Sequence, residues 1–172
     1  MHLPSSKGGT GLVVPLGLAS QGVEYEMTDT PASTLVVVGV DGSAEATTAL
    51  EIAIEEARLR SARLHVTYAY PALGVPLTGS TGHDYYEQTE HEAHEVLERA
   101  AATAPSTEGL EVEWLGVPGN PAEVLIEASR NAKLLVVGSR GRGGFIGLLM
   151  GSVSSQCVHH SHCPVLVVRK EH

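Results

Sequence analysis

The residues best suited to chemistry lie in one stretch, Gly138–Ser152, which reads GSRGRGGFIGLLMGS. It follows an apolar run with the look of a strand and leads into a short helix. Glycines let a backbone turn through positive φ and bring amide N–H groups close to a ligand. A helix start adds unpaired donors and the positive end of the helix dipole. Arg140 and Arg142 supply charge, and Ser152 supplies a hydroxyl beside the helix start. This combination suits the binding of phosphate. The bland alternative is a surface loop that merely needs glycine, but flexibility alone does not require the helix start that follows.

Two familiar phosphate loops do not fit. No Gly-x-x-x-x-Gly-Lys-[Ser/Thr] run occurs, so a Walker-type nucleotidase is unsupported. Gly141-x-Gly143-x-x-x-Gly147 is a loose relative of the dinucleotide fingerprint. It follows the fourth strand rather than the first, and the acidic residue expected about 20 positions later is missing.

A second chemical residue, Asp41, closes the first strand in the run VVVGVDGS. It is a candidate ligand contact. Asp-Gly-Ser is equally ordinary strand-to-helix turn chemistry, and the sequence leaves both readings open.

The elements that must position these residues alternate along the chain. Thr34–Val40 is a continuous β-branched run, the mark of a strand buried on both faces. Ser43 is placed to cap a helix over Ala44–Arg60, whose Ala46, Ala49, Leu50, Ala53, Ile54 and Ala57 share one face. Arg63–Tyr70 reads as a second strand, Pro71–Gly82 as a long loop and His83–Thr103 as an acidic helix. Leu110–Val117 is a third strand, and Asn120-Pro121 opens a helix to about Arg130. Lys133–Val137, the helix Gly151–His160 and the strand Pro164–Arg169 complete the pattern. Strands alternating with helices predict one α/β domain around a five-stranded parallel sheet.

At this level of detail the chain resembles the universal stress protein family. The spacing Gly138-x-x-Gly141, nine residues, then Gly151-Ser152 is similar to that family's nucleotide-binding signature. VVVGVDGS, GNPAEVLIEASRNAKLLVVGSRGRGG and SSQCVHHSHCPVLVVR resemble family blocks, together covering about Leu35 to Arg169. The resemblance implies a Rossmann-like, adenine nucleotide alpha hydrolase-like sheet in the order 3-2-1-4-5, with helices on both faces. It also implies a homodimer formed along the last strand. The strand order reverses between strands one and four, where open α/β sheets bind ligands.

By the same resemblance, Asp41 corresponds to the acidic residue that contacts the nucleoside. Gly138, Gly141, Gly151 and Ser152 correspond to the phosphate contacts, and Ala69 falls where adenine is read through main-chain groups. Arg140 and Arg142 lie in the variable stretch, and their part rests on charge alone. The expected ligand is ATP, with Mg2+ travelling with the nucleotide. The expected role is that of a stress-linked sensor or regulator with at most slow hydrolysis. The rival is a dimeric interaction module that binds no nucleotide. An adenylyl-transfer enzyme of related fold would be expected to show Ser-Gly-Gly-x-Asp-Ser or His-Ile-Gly-His, and neither occurs.

Composition bounds the remaining classes. The 172 residues fit one domain, expected at 33–172 behind a flexible extension at 1–32. Met27 would make an ordinary start for a cytoplasmic domain. Leu12–Ala19 is a poor signal-peptide core because of Pro15, Gly17 and the single Lys7 before it. A net charge of -9 argues against a surface devoted to nucleic acid or anionic lipid. The charge is uneven: between Ala128 and Lys170 there are six basic residues and no acid. Cys157 and Cys163 are expected as buried, reduced thiols. His159, His160, His162 and Cys163 straddle a helix end and a strand start, adjacent His159 and His160 fall on different helix faces, which spoils chelation, and no structural metal is expected. Tyr85, Tyr86 and Trp114 are expected to pack rather than to stack on bases.

Overall fold

The computed structural model describes residues 12–13, 34–71, 80–142 and 149–169. The strands are β1 (Leu12–Val13), β2 (Leu35–Gly39), β3 (Arg63–Tyr70), β4 (Val112–Pro118), β5 (Leu134–Gly138) and β6 (Val165–Val168). Between them run helices α1 (Ala44–Leu59), α2 (Ser80–Thr103), α3 (Pro121–Ala128) and α4 (Ser152–His160). All pairings are parallel, in the order β1-β4-β3-β2-β5-β6. Strands β2 to β6 reproduce the expected 3-2-1-4-5 order. The two-residue strand β1 adds to its edge, with Leu12 opposite Trp114 and Val13 opposite Leu115. This strand lies within the stretch expected as an extension at 1–32; residues 14–33 lie outside the described residues.

The continuous apolar runs are explained by burial on both faces. Val36 and Val38 pack with Leu64, Val66 and Val136 against α1 and α2, whose Leu50, Ile54, Val96 and Leu97 are all buried. Leu35 and Val37 point the other way, onto Leu125 of α3 and Cys157 of α4. The core therefore forms two layers, one on each side of the sheet.

Several boundaries differ from the sequence reading for local reasons. Helix α2 begins at Ser80, three residues earlier than expected, inside the stretch read as a loop. Residues 72–79 of that loop, and the side chains of Tyr85 and Tyr86, lie outside the described residues; Trp114 is in the core. Helix α3 ends at Ala128 and tightens into a 3-10 turn over Ser129–Asn131. There the Ser129 hydroxyl donates to the Ile126 carbonyl at 2.6 Å and accepts from the His162 N–H at 2.9 Å. The second bond ties α3 to the segment entering β6. Cys157 is buried as expected, whereas Cys163 is only half-buried.

Candidate functional site

The carboxyl ends of β2 and β5 lie side by side at the point where the strand order reverses. Asp41 and Gly138 are brought together there. Asp41 Oδ1 accepts the Ser43 N–H at 2.9 Å, and Ser43 Oγ accepts the Ala46 N–H at 3.2 Å, capping α1. Gly42 makes the turn at φ +79. The turn reading of Asp-Gly-Ser is thus correct as far as it goes. The other oxygen does something the turn does not require: Asp41 Oδ2 accepts the Arg142 N–H at 2.9 Å. One carboxylate therefore caps the first crossover and fastens the glycine loop, 101 residues later.

The glycines of the loop serve different ends. A Cβ at Gly141 would sit 2.3 Å from Asp41 Oδ2, so only glycine lets the loop meet the carboxylate. A Cβ at Gly138 would lie 3.1 Å from the Arg140 carbonyl and from Glu45, because the first turn of α1 packs over the end of β5. At Gly151 the nearest atoms would be 3.6 Å away and φ is -81, so the protein itself leaves room for a side chain. Gly151 is the N-cap of α4, and its N–H donates to the Ser139 carbonyl at 2.7 Å. The following amides, of Ser152 and Val153, open the helix without intrahelical acceptors, and the Ser152 side chain is exposed. Residues 143–148 lie outside the described residues.

Arg140 and Arg142 do not stand free. Arg140 Nη2 lies 3.2 Å from Glu45 Oε1 on α1, and Arg142 Nη1 lies 3.2 Å from Glu92 Oε1 on α2. Tyr68 of β3 lies within electrostatic reach of Arg142, Glu92 and Asp41. Burial pushes its phenol above the ordinary range, with Glu92 adding to the shift and Arg142 opposing it. Ala69 is the next residue along β3 and lines a cavity of about 350 Å3 with Pro71, Gly119, Asn120 and Pro121. Asn120, among the lining residues, has its Oδ1 accepting the Ala122 N–H at 3.0 Å as the cap of α3. Asp41, Gly138, Arg140, Gly141 and Arg142 thus form one cluster, with Gly151 and Ser152 adjoining and Ala69 one strand away.

The sequence reading missed Glu45, Glu92 and Ser154. In sequence the two glutamates look like any solvated helical acid, and no local pattern pairs them with arginines 95 and 50 residues away. Ser154 is buried; its Oγ donates to the Ser139 carbonyl at 2.8 Å and accepts the Gly151 N–H at 3.1 Å. A serine three residues after a capping glycine was the available signal. Among the described residues, no three His, Cys, Asp or Glu side chains converge as metal ligands.

A doubly wound parallel sheet with a glycine loop, a carboxylate and a helix start at its switch point defines a Rossmann-like α/β domain. The model of the universal stress protein family matches residues 34–169, and the chain belongs to that family. Universal stress protein Rv2623 of Mycobacterium tuberculosis is 36% identical over 141 residues, covering 81% of this chain and 46% of the relative. Rv2005c of the same organism is 34% identical over 140 residues, covering 81% and 47%. The chain thus spans about half the length of these curated relatives. A universal stress protein crystallised in complex with cAMP superimposes with a TM-score of 0.64 at 28% identity, covering 81% of this chain and 99% of that one.

Proposed function

We propose that this chain binds an adenine nucleotide in the crevice between β2 and β5 and acts as a stress-response sensor or regulator rather than a turnover enzyme. The observation that carries the reading is the contrast among the glycines. Gly138 and Gly141 are required by the protein's own packing, but Gly151 is not. A bare backbone where the fold has room for a side chain fits a ligand that takes up that room. The position is a helix start with unpaired amides, the geometry that receives phosphate. The cAMP complex of the 28%-identical relative supports the same ligand class.

In this reading the cavity beside Ala69 receives the base, with main-chain groups at the end of β3 reading its edge. Asp41 takes the ribose: two of its acceptor positions are used by Ser43 and Arg142, and a carboxylate has about four. Gly138, Gly141, Gly151 and Ser152 surround the phosphates, with Arg140 and Arg142 at the rim. The nucleotide implied by the resemblance is ATP, carried with Mg2+. Slow hydrolysis at most is what the family resemblance implies. Pairing of two copies along β6, whose Val165–Val167 are half-exposed, gives the homodimer. Free thiols at Cys157 and Cys163 suit a reducing, cytoplasmic setting.

The test is calorimetric titration of nucleotide-stripped protein with AMP and MgATP, repeated on Gly151→Asp. Aspartate is a favourable N-cap, so this variant keeps its fold while placing a carboxylate where phosphate would sit. Heat of binding in the parent and none in the variant is expected. No heat in the parent refutes the reading and favours the interaction module.

A further inference from the structure

We infer that Glu45 and Glu92 set the charge class of the ligand: the crevice takes nucleotides of low net phosphate charge and discriminates against free ATP. This deepens the adenine-nucleotide reading and rests on it. Arg140 and Arg142 are the only charged residues between Gly138 and Ser152. In the structure each is already neutralised, Arg140 by Glu45 and Arg142 by Glu92, both at 3.2 Å. Asp41 adds a third carboxylate at the same place, bonded to the Arg142 amide. Two guanidinium groups against three carboxylates leave the cluster with a net negative charge.

The sequence does not reverse this balance. Residues 72–79 carry no charged side chain, and α2 has no Lys or Arg before Arg99. The cluster therefore differs from phosphate sites in which unpaired Lys or Arg meet the anion. Its phosphate affinity has to come from amides and the helix dipole, which together present only about half a unit of charge. That suffices for a phosphodiester or a monoester. Free ATP brings about four negative charges and cyclic AMP about one. Swinging an arginine to the phosphates would not remove the penalty, because its glutamate stays behind on a helix beside them. Glu45 is the more firmly placed of the two, with its side chain 20% exposed, and Arg140 is 29% exposed. A divalent cation on the nucleotide offsets the excess charge, so MgATP is admitted where free ATP is not.

The experiment compares cyclic AMP, AMP, MgATP and ATP in chelator, titrated at low ionic strength into the parent chain, Glu92→Gln and Glu45→Gln. In the parent, free ATP is expected to bind at least about tenfold more weakly than cyclic AMP. Each Gln variant should strengthen free ATP at least about fivefold while changing cyclic AMP less than about twofold. Cyclic AMP is the internal check that each variant still folds and binds. Free ATP binding as tightly as cyclic AMP in the parent overturns the inference and leaves the nucleotide reading standing. Equal effects of the substitutions on all ligands overturn it as well. If no nucleotide binds the parent, both fall together.

Discussion

The glycine loop makes a prediction that needs no ligand. In Gly141→Ala the new Cβ would stand 2.3 Å from Asp41 Oδ2, well inside any real contact distance. The obstacle is a short carboxylate held on both oxygens, by the Ser43 and Arg142 amides at 2.9 Å each, so it cannot move aside without losing one of them. The Arg142 bond is the one that breaks. A hydrogen bond to a charged group contributes about 1.5–3 kcal/mol, and exposure at the loop discounts this to about 1–2 kcal/mol. For a domain of this size that corresponds to a fall in melting temperature of about 2–8 °C. Gly151→Ser is the matched control. Its Cβ meets nothing closer than 3.6 Å, φ is -81, and serine is a good N-cap, so stability should change by less than about 0.5 kcal/mol. Thermal and urea melts of ligand-free protein decide the matter. An unchanged midpoint in Gly141→Ala, or an equal loss in Gly151→Ser, would refute the division of the glycines into structural and ligand-facing ones.

Two further outcomes follow from buried titratable groups. His65 on β3 is 7% exposed and lies 3.3 Å from Glu113. Burial lowers its pKa below 6.5 against the opposing pull of Glu113, with Arg63 adding to the fall and Glu111 countering it. The unfolded chain then takes up the proton first, so this histidine subtracts stability as pH drops below about 6.5. Urea melts from about pH 7 to about pH 5 should show a shallower loss in His65→Gln than in the parent; parallel curves would contradict this. Burial pushes the Cys157 thiol up to about 11, while Cys163 is half-buried. A thiol reagent at about pH 8 should modify Cys163 in the native protein and Cys157 only on unfolding. Simultaneous labelling in the fold would show that the α4 packing is wrong.

Much of the architecture was legible because it follows from local rules. The run LVVVG has the pattern of a strand buried on both faces, as in a parallel sheet, and Ser43 and Asn120 cap α1 and α3 as their sequence contexts predict. The glycine spacing located the loop at the switch point. What the sequence could not show were the long-range pairings. Glu45 and Glu92 look like any solvated helical glutamate until the fold carries the arginines to them. Asp41 read as either a turn residue or a ligand residue. The structure adds a third part, fastening the loop, which depends on a residue 101 positions away. The strand at Leu12–Val13 was missed because two residues show no period, and their pairing with β4 is set by tertiary contact.

The central claim is that the crevice beside Asp41 and Gly151 holds an adenine nucleotide. Native mass spectrometry of the purified chain supplied with AMP or MgATP tests it most directly, with Gly151→Asp run in parallel. The account predicts one nucleotide per chain in the parent and the bare chain mass in the variant. The bare mass in both, or equal loading of both, would contradict it.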